Sequence, residues 1–186
     1  MKRAFDIVVS LVGLAAGWPI LLALAAAVRL TSPGPAIHWS RRVGRENREF
    51  AMPKFRSMRT DTPDVATHLL RDPGRWITPL GRFLRRSSLD ELPQLWSVLK
   101  GDMSLVGPRP ALFNQQDLIA LRTQAGVDRL RPGVTGWAQV NGRDELPIRE
   151  KVRLDREYLE RQSLGLDVAI ILATAQAALT AKGVSH

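Results

Sequence analysis

The chain has 186 residues, enough for one domain with a substantial core, and its 45% apolar and 24% charged content excludes disordered and fibrous classes. It has no cysteine and only three histidines (His38, His68 and the terminal His186), which excludes disulfide scaffolds and cysteine nucleophiles and argues against a histidine-rich metal site or a serine–histidine hydrolase. The formal charge of +9 is uneven: residues 1–60 carry ten Lys/Arg against Asp6, Glu46 and Glu49, and this basic third adjoins an apolar stretch, a pattern suited to an anionic membrane surface, anionic ligands or nucleic acid.

The first element is an uncharged run of 22 residues, Ile7 to Val28. As a straight helix it would reach about 33 Å, against a hydrocarbon core of about 30 Å. Three arrangements compete. Lys2-Arg3, the apolar run and Ala23-Leu24-Ala25 fit a signal peptide with an A-x-A site. A kinked single span is the second. The third is a re-entrant hairpin. Pro19 lies mid-run beside Gly17 and Trp18, where it removes a backbone donor and clashes with the preceding turn. Both flanks are basic, with Lys2 and Arg3 before and Arg29, Arg41, Arg42, Arg45 and Arg48 after, and basic flanks stay cytoplasmic. The expectation is a membrane hairpin over residues 1–30, two half-helices broken at Pro19, followed by one integrated cytosolic and interfacial domain over residues 31–186.

Thr31-Ser32-Pro33-Gly34-Pro35 ends the membrane segment. Ala36 to Met52 reads as a strand, a basic turn and a second strand or loop, and Thr60 to Pro73 as a polar segment with a short helix. In Ser87 to Gly101, Ser88 followed by Glu91 matches a capping box, Leu92, Leu95, Trp96 and Leu99 repeat at helical spacing, and Gly101 is a stop. Pro93 belongs in a first turn, so the helix is expected to begin near Asp90. Free backbone N–H groups and the helix dipole would then hold Asp90 and Glu91 ionised, fit for nucleophilic attack or metal binding, although a plain capping role fits the same stretch. Arg85 and Arg86, just upstream, are placed to pair with phosphates.

Val106-Gly107-Pro108-Arg109-Pro110 reads as a rigid turn presenting one arginine, and Arg131 to Arg143 as a second glycine-rich loop, with Val134 to Val140 a short strand. Leu146 to Arg161 reads as a helix with Ile148, Val152 and Leu159 on one face. Asp155 shares that apolar stripe, which is costly unless it is paired or used, so it is either a site residue or half of a buried salt bridge. Val168 to Ala181 is an apolar helix too short to span comfortably, and a candidate homodimer face.

Six segments in order resemble the bacterial sugar transferase family, the monotopic phosphoglycosyl transferases. They are Lys2-Arg3-Ala4-Phe5-Asp6, the proline-interrupted apolar run, Pro53 to Arg59, Ser88 to Leu95, Leu99 to Pro110, and Arg131 to Arg143. The resemblance covers almost the whole chain and corresponds to the small catalytic-core type, without the multi-span N-terminal extension of some members. It implies an α+β, mostly helical monotopic membrane protein at the cytoplasmic face of a bacterial inner membrane. It also implies transfer of a phospho-sugar from a UDP-sugar to polyprenyl phosphate, with Mg²⁺, as a first membrane step of glycan assembly. The aspartate of the family's Asp-Glu pair, matching Asp90-Glu91, acts there as nucleophile through a phospho-sugar intermediate, with Asp90 also the metal-binding carboxylate. Lys54, Arg85, Arg143 and Asp155 match further active-site positions, and Arg109 lies in a matching motif. Trp18 stands before Pro19 where the family often has serine. Membrane lipids are expected partners. Nucleic acid is not, because base-stacking motifs are lacking and the aromatics do not interleave with the basic cluster.

Overall fold

The computed structural model describes residues 1–63, 72–142 and 146–180 and has an α+β architecture rich in helix. Helix α1 runs from Lys2 to Thr31, 30 residues, and continues through Pro19. The expected break into two half-helices is corrected here. Proline forfeits one i→i−4 bond, whereas the alanine- and leucine-rich turns on either side propagate helix strongly. Between its ends, α1 leaves Leu11, Val12, Trp18, Ile20 and Leu22 exposed.

Both ends of α1 are tied to the rest of the protein. At the N-terminus, Lys2 Nζ donates to Asp167 at 2.7 Å, Arg3 donates to the carbonyls of Val98 (2.6 Å) and Leu99 (2.9 Å), and buried Asp6 accepts from Leu105 N at 3.2 Å. At the C-terminus, Val28 packs with Phe55 and Leu84, and the buried Arg56 guanidinium donates to the carbonyls of Ser32 (2.8 Å) and Pro33 (2.5 Å). A guanidinium fork just past the end of a helix fixes the departing chain and complements the dipole.

Strands β1 (Ile37–Val43) and β2 (Glu49–Phe55) form an antiparallel hairpin, with Val43 opposite Glu49 and Ile37 opposite Phe55. This bears out the two strands, while the basic turn expected at Arg41–Arg45 is corrected: Arg41, Arg42 and Val43 belong to β1 and the chain reverses over Gly44–Arg48. Helix α2 (Pro79–Ser87) starts in the favoured way, with Thr78 accepting from Gly81 N at 2.9 Å and Pro79 in the first turn. Helix α3 (Gln94–Lys100) ends at Gly101, whose φ of 102° needs a residue without Cβ. Strand β3 (Ser104–Val106) follows, and β4 (Ala111–Leu112) joins the other edge of β1, giving the order β2-β1-β4.

After α4 (Gln116–Gln124), strand β5 (Gly133–Thr135) pairs in parallel with β3. The Val134 to Val140 strand is corrected: only its first residues are extended, and Trp137–Val140 form the short helix α5, because Gly136 turns the chain. The loops after β3 and before β5 touch backbone to backbone. A Cβ on Gly107 would lie 2.3 Å from Arg131 O, and one on Gly133 2.1 Å from Gly107 N, so both positions require glycine for close approach. Helices α6 (Ile148–Arg161) and α7 (Leu164–Thr180) close the fold. Asp167, fully buried in the first turn of α7, accepts from Tyr158 OH at 2.6 Å as well as from Lys2, tying α1, α6 and α7 together. The main core is built from Met52, Val98, Met103, Leu105, Val106, Tyr158 and Ile170. At 25–30 cal/mol per Å² this burial dominates the stabilisation.

Candidate active site

The sequence predicts an α-helix beginning near Asp90 with a Ser88–Glu91 capping box. Instead, α2 ends at Ser88, whose left-handed φ of 57° swings the chain into a single 3₁₀ turn, Leu89–Glu91, and α3 begins only at Gln94. Ser88 makes no side-chain cap. A serine held at positive φ stores strain of the kind found at functional sites. The turn buries Asp90 (6% exposed) and aims Glu91 toward β2 and the loop after β3.

Glu91 is pinned by two cations. Lys54 Nζ on β2 donates to its Oε1 at 2.7 Å, and Arg109 donates to the same oxygen at 3.2 Å. Burial pushes the Glu91 carboxyl up, but the charges and hydrogen bonds of Lys54 and Arg109 outweigh that and hold it well below the usual range. Burial lowers Lys54, with Glu91 opposing. Asp90 behaves oppositely to its neighbour. Burial pushes it up to about 6, partly offset by Lys54, Arg85 and Arg109 and reinforced by the Glu91 charge. The expectation that a helix terminus would hold Asp90 strongly ionised is therefore reversed in direction. Desolvation of the buried carboxyl outweighs the neighbouring cations. At neutral pH Asp90 is still mostly a carboxylate, poised close to its titration point and less tied up than Glu91.

Lys54, Arg85, Asp90, Glu91 and Arg109 thus come together, on β2, α2, the 3₁₀ turn and the Pro108–Pro110 loop. A shallow cleft lined by Arg42, Met52, Lys54, Gln94, Arg109 and Pro110 adjoins them. Arg143 lies outside the described residues. Asp155 does not face this cleft: it is 2% exposed and its Oδ2 accepts from Arg122 Nε (2.9 Å) and NH2 (2.7 Å). Of the two roles open to it, the buried salt bridge is the one observed, which corrects its placement among the cleft residues. Arg42 and Arg122 were missed from the sequence. Arg122 had a usable signal, since it lies four residues after Leu118 on the buried face of α4, as unexpected there as Asp155 is on α6.

The chain as a whole is similar to known proteins. A glucose-1-phosphate transferase of Xanthomonas campestris pv. campestris, named UDP-glucose:undecaprenyl-phosphate glucose-1-phosphate transferase, is 43% identical over 183 residues, 94% of this chain and 38% of that protein. The uncharacterized sugar transferase EpsL of Bacillus subtilis (strain 168) is 40% identical over 186 residues, 100% of this chain and 91% of that protein. A UDP-N-acetylgalactosamine-undecaprenyl-phosphate N-acetylgalactosaminephosphotransferase of Aeromonas hydrophila is 37% identical over 188 residues, 98% of this chain and 44% of that protein. The chain therefore spans less than half the length of the Xanthomonas and Aeromonas relatives. Residues 1–181 match the model of the bacterial sugar transferase family, and the chain belongs to that family.

Proposed function

We propose that this protein transfers a sugar 1-phosphate from a UDP-sugar to a polyprenyl phosphate, undecaprenyl phosphate in the first instance, and releases UMP. The observation that carries the reading is the asymmetric carboxylate pair: Glu91 pinned by Lys54 and Arg109, and Asp90 buried, near its titration point and flanked by cations. The names of the relatives supply the substrate classes.

In the proposed reaction an Asp90 carboxylate oxygen attacks the sugar-bearing phosphorus of the donor. The bond from that phosphorus to the bridging oxygen breaks, and UMP leaves with the electron pair. The polyprenyl phosphate then attacks the same phosphorus, which frees Asp90 and yields the polyprenyl diphospho-sugar. Lys54, Arg85 and Arg109 offset the charge that builds on the diphosphate, and such fixed cations act most strongly in a desolvated site. Glu91 holds Lys54 and Arg109 in place.

Magnesium takes one or two carboxylates together with phosphate oxygens and waters. Among the described residues there is no group of three acidic or histidine side chains to form an all-protein cage. Glu91 Oε1 is occupied by Lys54 and Arg109, so Asp90 fits as the single carboxylate ligand, with the donor diphosphate providing the remaining oxygens. Bound there, Mg²⁺ would supply further positive charge to the diphosphate.

The proposed setting is the cytoplasmic membrane surface, with the continuous helix α1 bent at Pro19 so that its middle dips into one leaflet while both ends stay on the same side. It is supported by two sets of contacts that hold opposite ends of α1 to one body, and by the exposed apolar middle that includes Trp18 and Ile20. A span across the bilayer would detach one set. A cysteine replacing exposed Ala4, in a chain with no native cysteine, should resist a membrane-impermeant thiol reagent in intact cells and react after permeabilisation. Ready labelling from outside would replace the re-entrant arrangement with a plain span.

The reaction itself is tested with purified protein, Mg²⁺, undecaprenyl phosphate and a panel of UDP-sugars. UMP release that depends on both substrates is expected for at least one sugar, which also identifies the donor. No release across the panel would reject the transferase reading.

A further inference from the structure

Arg109 reaches Glu91 from an unusual loop. It lies between Pro108 and Pro110, and prolines provide no N–H, so main-chain donors at those two positions cannot hold the loop in a hydrogen-bonded ladder. The Pro108 carbonyl accepts from Gly133 N at 2.9 Å, and the next two carbonyls are held by guanidinium groups from two other elements. Arg122 NH1 on α4 donates to Arg109 O at 2.8 Å, and Arg42 NH1 on β1 donates to Pro110 O at 3.2 Å while its Nε donates to Ser40 Oγ at 3.0 Å. Arg122 is in turn fixed by the two bonds to Asp155 on α6. Both members of that pair are nearly inaccessible, at 9% and 2%.

A buried ion pair is a poor source of stability, because desolvating the two charges offsets their attraction. What the Asp155–Arg122 pair supplies here is direction: three of the fork's nitrogens have stated partners, two on one carboxylate oxygen and one on the main chain of Arg109. Lysine offers no such planar fork. Resting on the phosphoglycosyl-transfer reading, we infer that Arg122, oriented by Asp155, and Arg42 are positioning residues that brace the Pro108–Pro110 loop and so set Arg109 against Glu91 and the donor diphosphate.

The test is Arg122→Lys in the full chain, which keeps a positive charge beside Asp155 but loses the fork. Three readouts are taken: melting temperature, steady-state UMP release, and backbone amide exchange of the segment 106–112. Misplacing a charged group by about an ångström costs on the order of 100-fold in rate. UMP release in Arg122→Lys should therefore fall by roughly 10- to 100-fold, with the same division between kcat and KM for the UDP-sugar as in Arg109→Lys. In the Arg109→Lys background the added Arg122→Lys change should cost little more, because both act on one group. Exchange should quicken in 106–112 and not in α7. Equal losses in both backgrounds, or unchanged exchange in 106–112, would overturn the brace. The exchange measurement stands even if the native protein released no UMP, an outcome that would reject the reaction instead. Should Arg122→Lys fail to fold, Asp155→Asn, which keeps an oxygen for the fork, takes its place with the same expectations.

Discussion

Replacing Asp90 with asparagine is expected to abolish sugar-phosphate transfer and, at the same time, to stabilise the protein at neutral pH. The loss of activity follows from removing the attacking oxygen's charge while keeping the side chain's shape. The gain in stability follows from the direction of the Asp90 shift. Its carboxyl titrates at about 6 in the folded protein against a reference value of 3.8, chiefly because it is buried. The folded state therefore holds a proton that the unfolded chain has already released. The associated stability is fully present below the unfolded value and is lost as pH rises through about 6. Above that pH the native protein carries an ionised, buried carboxylate at a cost of up to about 3 kcal/mol. Asparagine removes it. A melting temperature several degrees higher at pH 7.5, with the advantage shrinking toward pH 4, is the expected result by calorimetry. In the native enzyme, activity should fall as pH drops through about 6, since the protonated form lacks the nucleophile. An Asp90→Asn variant that is active, or one that melts well below the native protein, would contradict this assignment.

Glu91→Gln should behave in the opposite way. Glu91 is the carboxylate on which Lys54 and Arg109 converge, and its pull is what opposes the lowering of Lys54 by burial. Glutamine keeps an acceptor but no charge, leaving a largely buried ammonium without its counter-charge. Breaking such pairs costs about 3–5 kcal/mol when both partners are fully buried, and the residual exposure of Lys54 and Glu91 places this one near the low end, about 3 kcal/mol. Transfer should also drop by at least about 100-fold, because both cations lose the group that orients them. Adjacent carboxylates in one turn would thus give stability changes of opposite sign. Denaturant melts at pH 7.5 decide it, and a Glu91→Gln protein as stable as the native one would remove Glu91 from the role of anchor.

The sequence exposed the chemistry of this site more fully than its geometry. Asp90-Glu91, Lys54, Arg85 and Arg109 stand in recognisable segments, and the structure brings these five together. Their electrostatics were not legible, because the direction of the Asp90 shift follows from its burial, which only the folded chain sets. Asp155 was noticed as a carboxylate on an apolar stripe, but its partner Arg122 lies 33 residues away on another helix, and only the packing of α4 against α6 joins them. Local propensity misled at Pro19, where one lost hydrogen bond does not end a long apolar helix, and at Val134 to Val140, where Gly136 divides strand from helix. The roles of Lys2, Arg3 and Asp6 as tethers were hidden for the same reason as Arg122: their partners Asp167, Val98, Leu99 and Leu105 are remote in sequence.

The proposal that Asp90 is the nucleophile is tested most directly by incubating the purified protein with Mg²⁺ and the active UDP-sugar in the absence of polyprenyl phosphate, quenching in acid, and mapping adducts by peptide mass spectrometry. A phospho-sugar adduct on Asp90 is expected, formed together with at most one equivalent of UMP and discharged when undecaprenyl phosphate is added. An adduct on another residue, or transfer that proceeds at the native rate with Asp90 never modified, would contradict it.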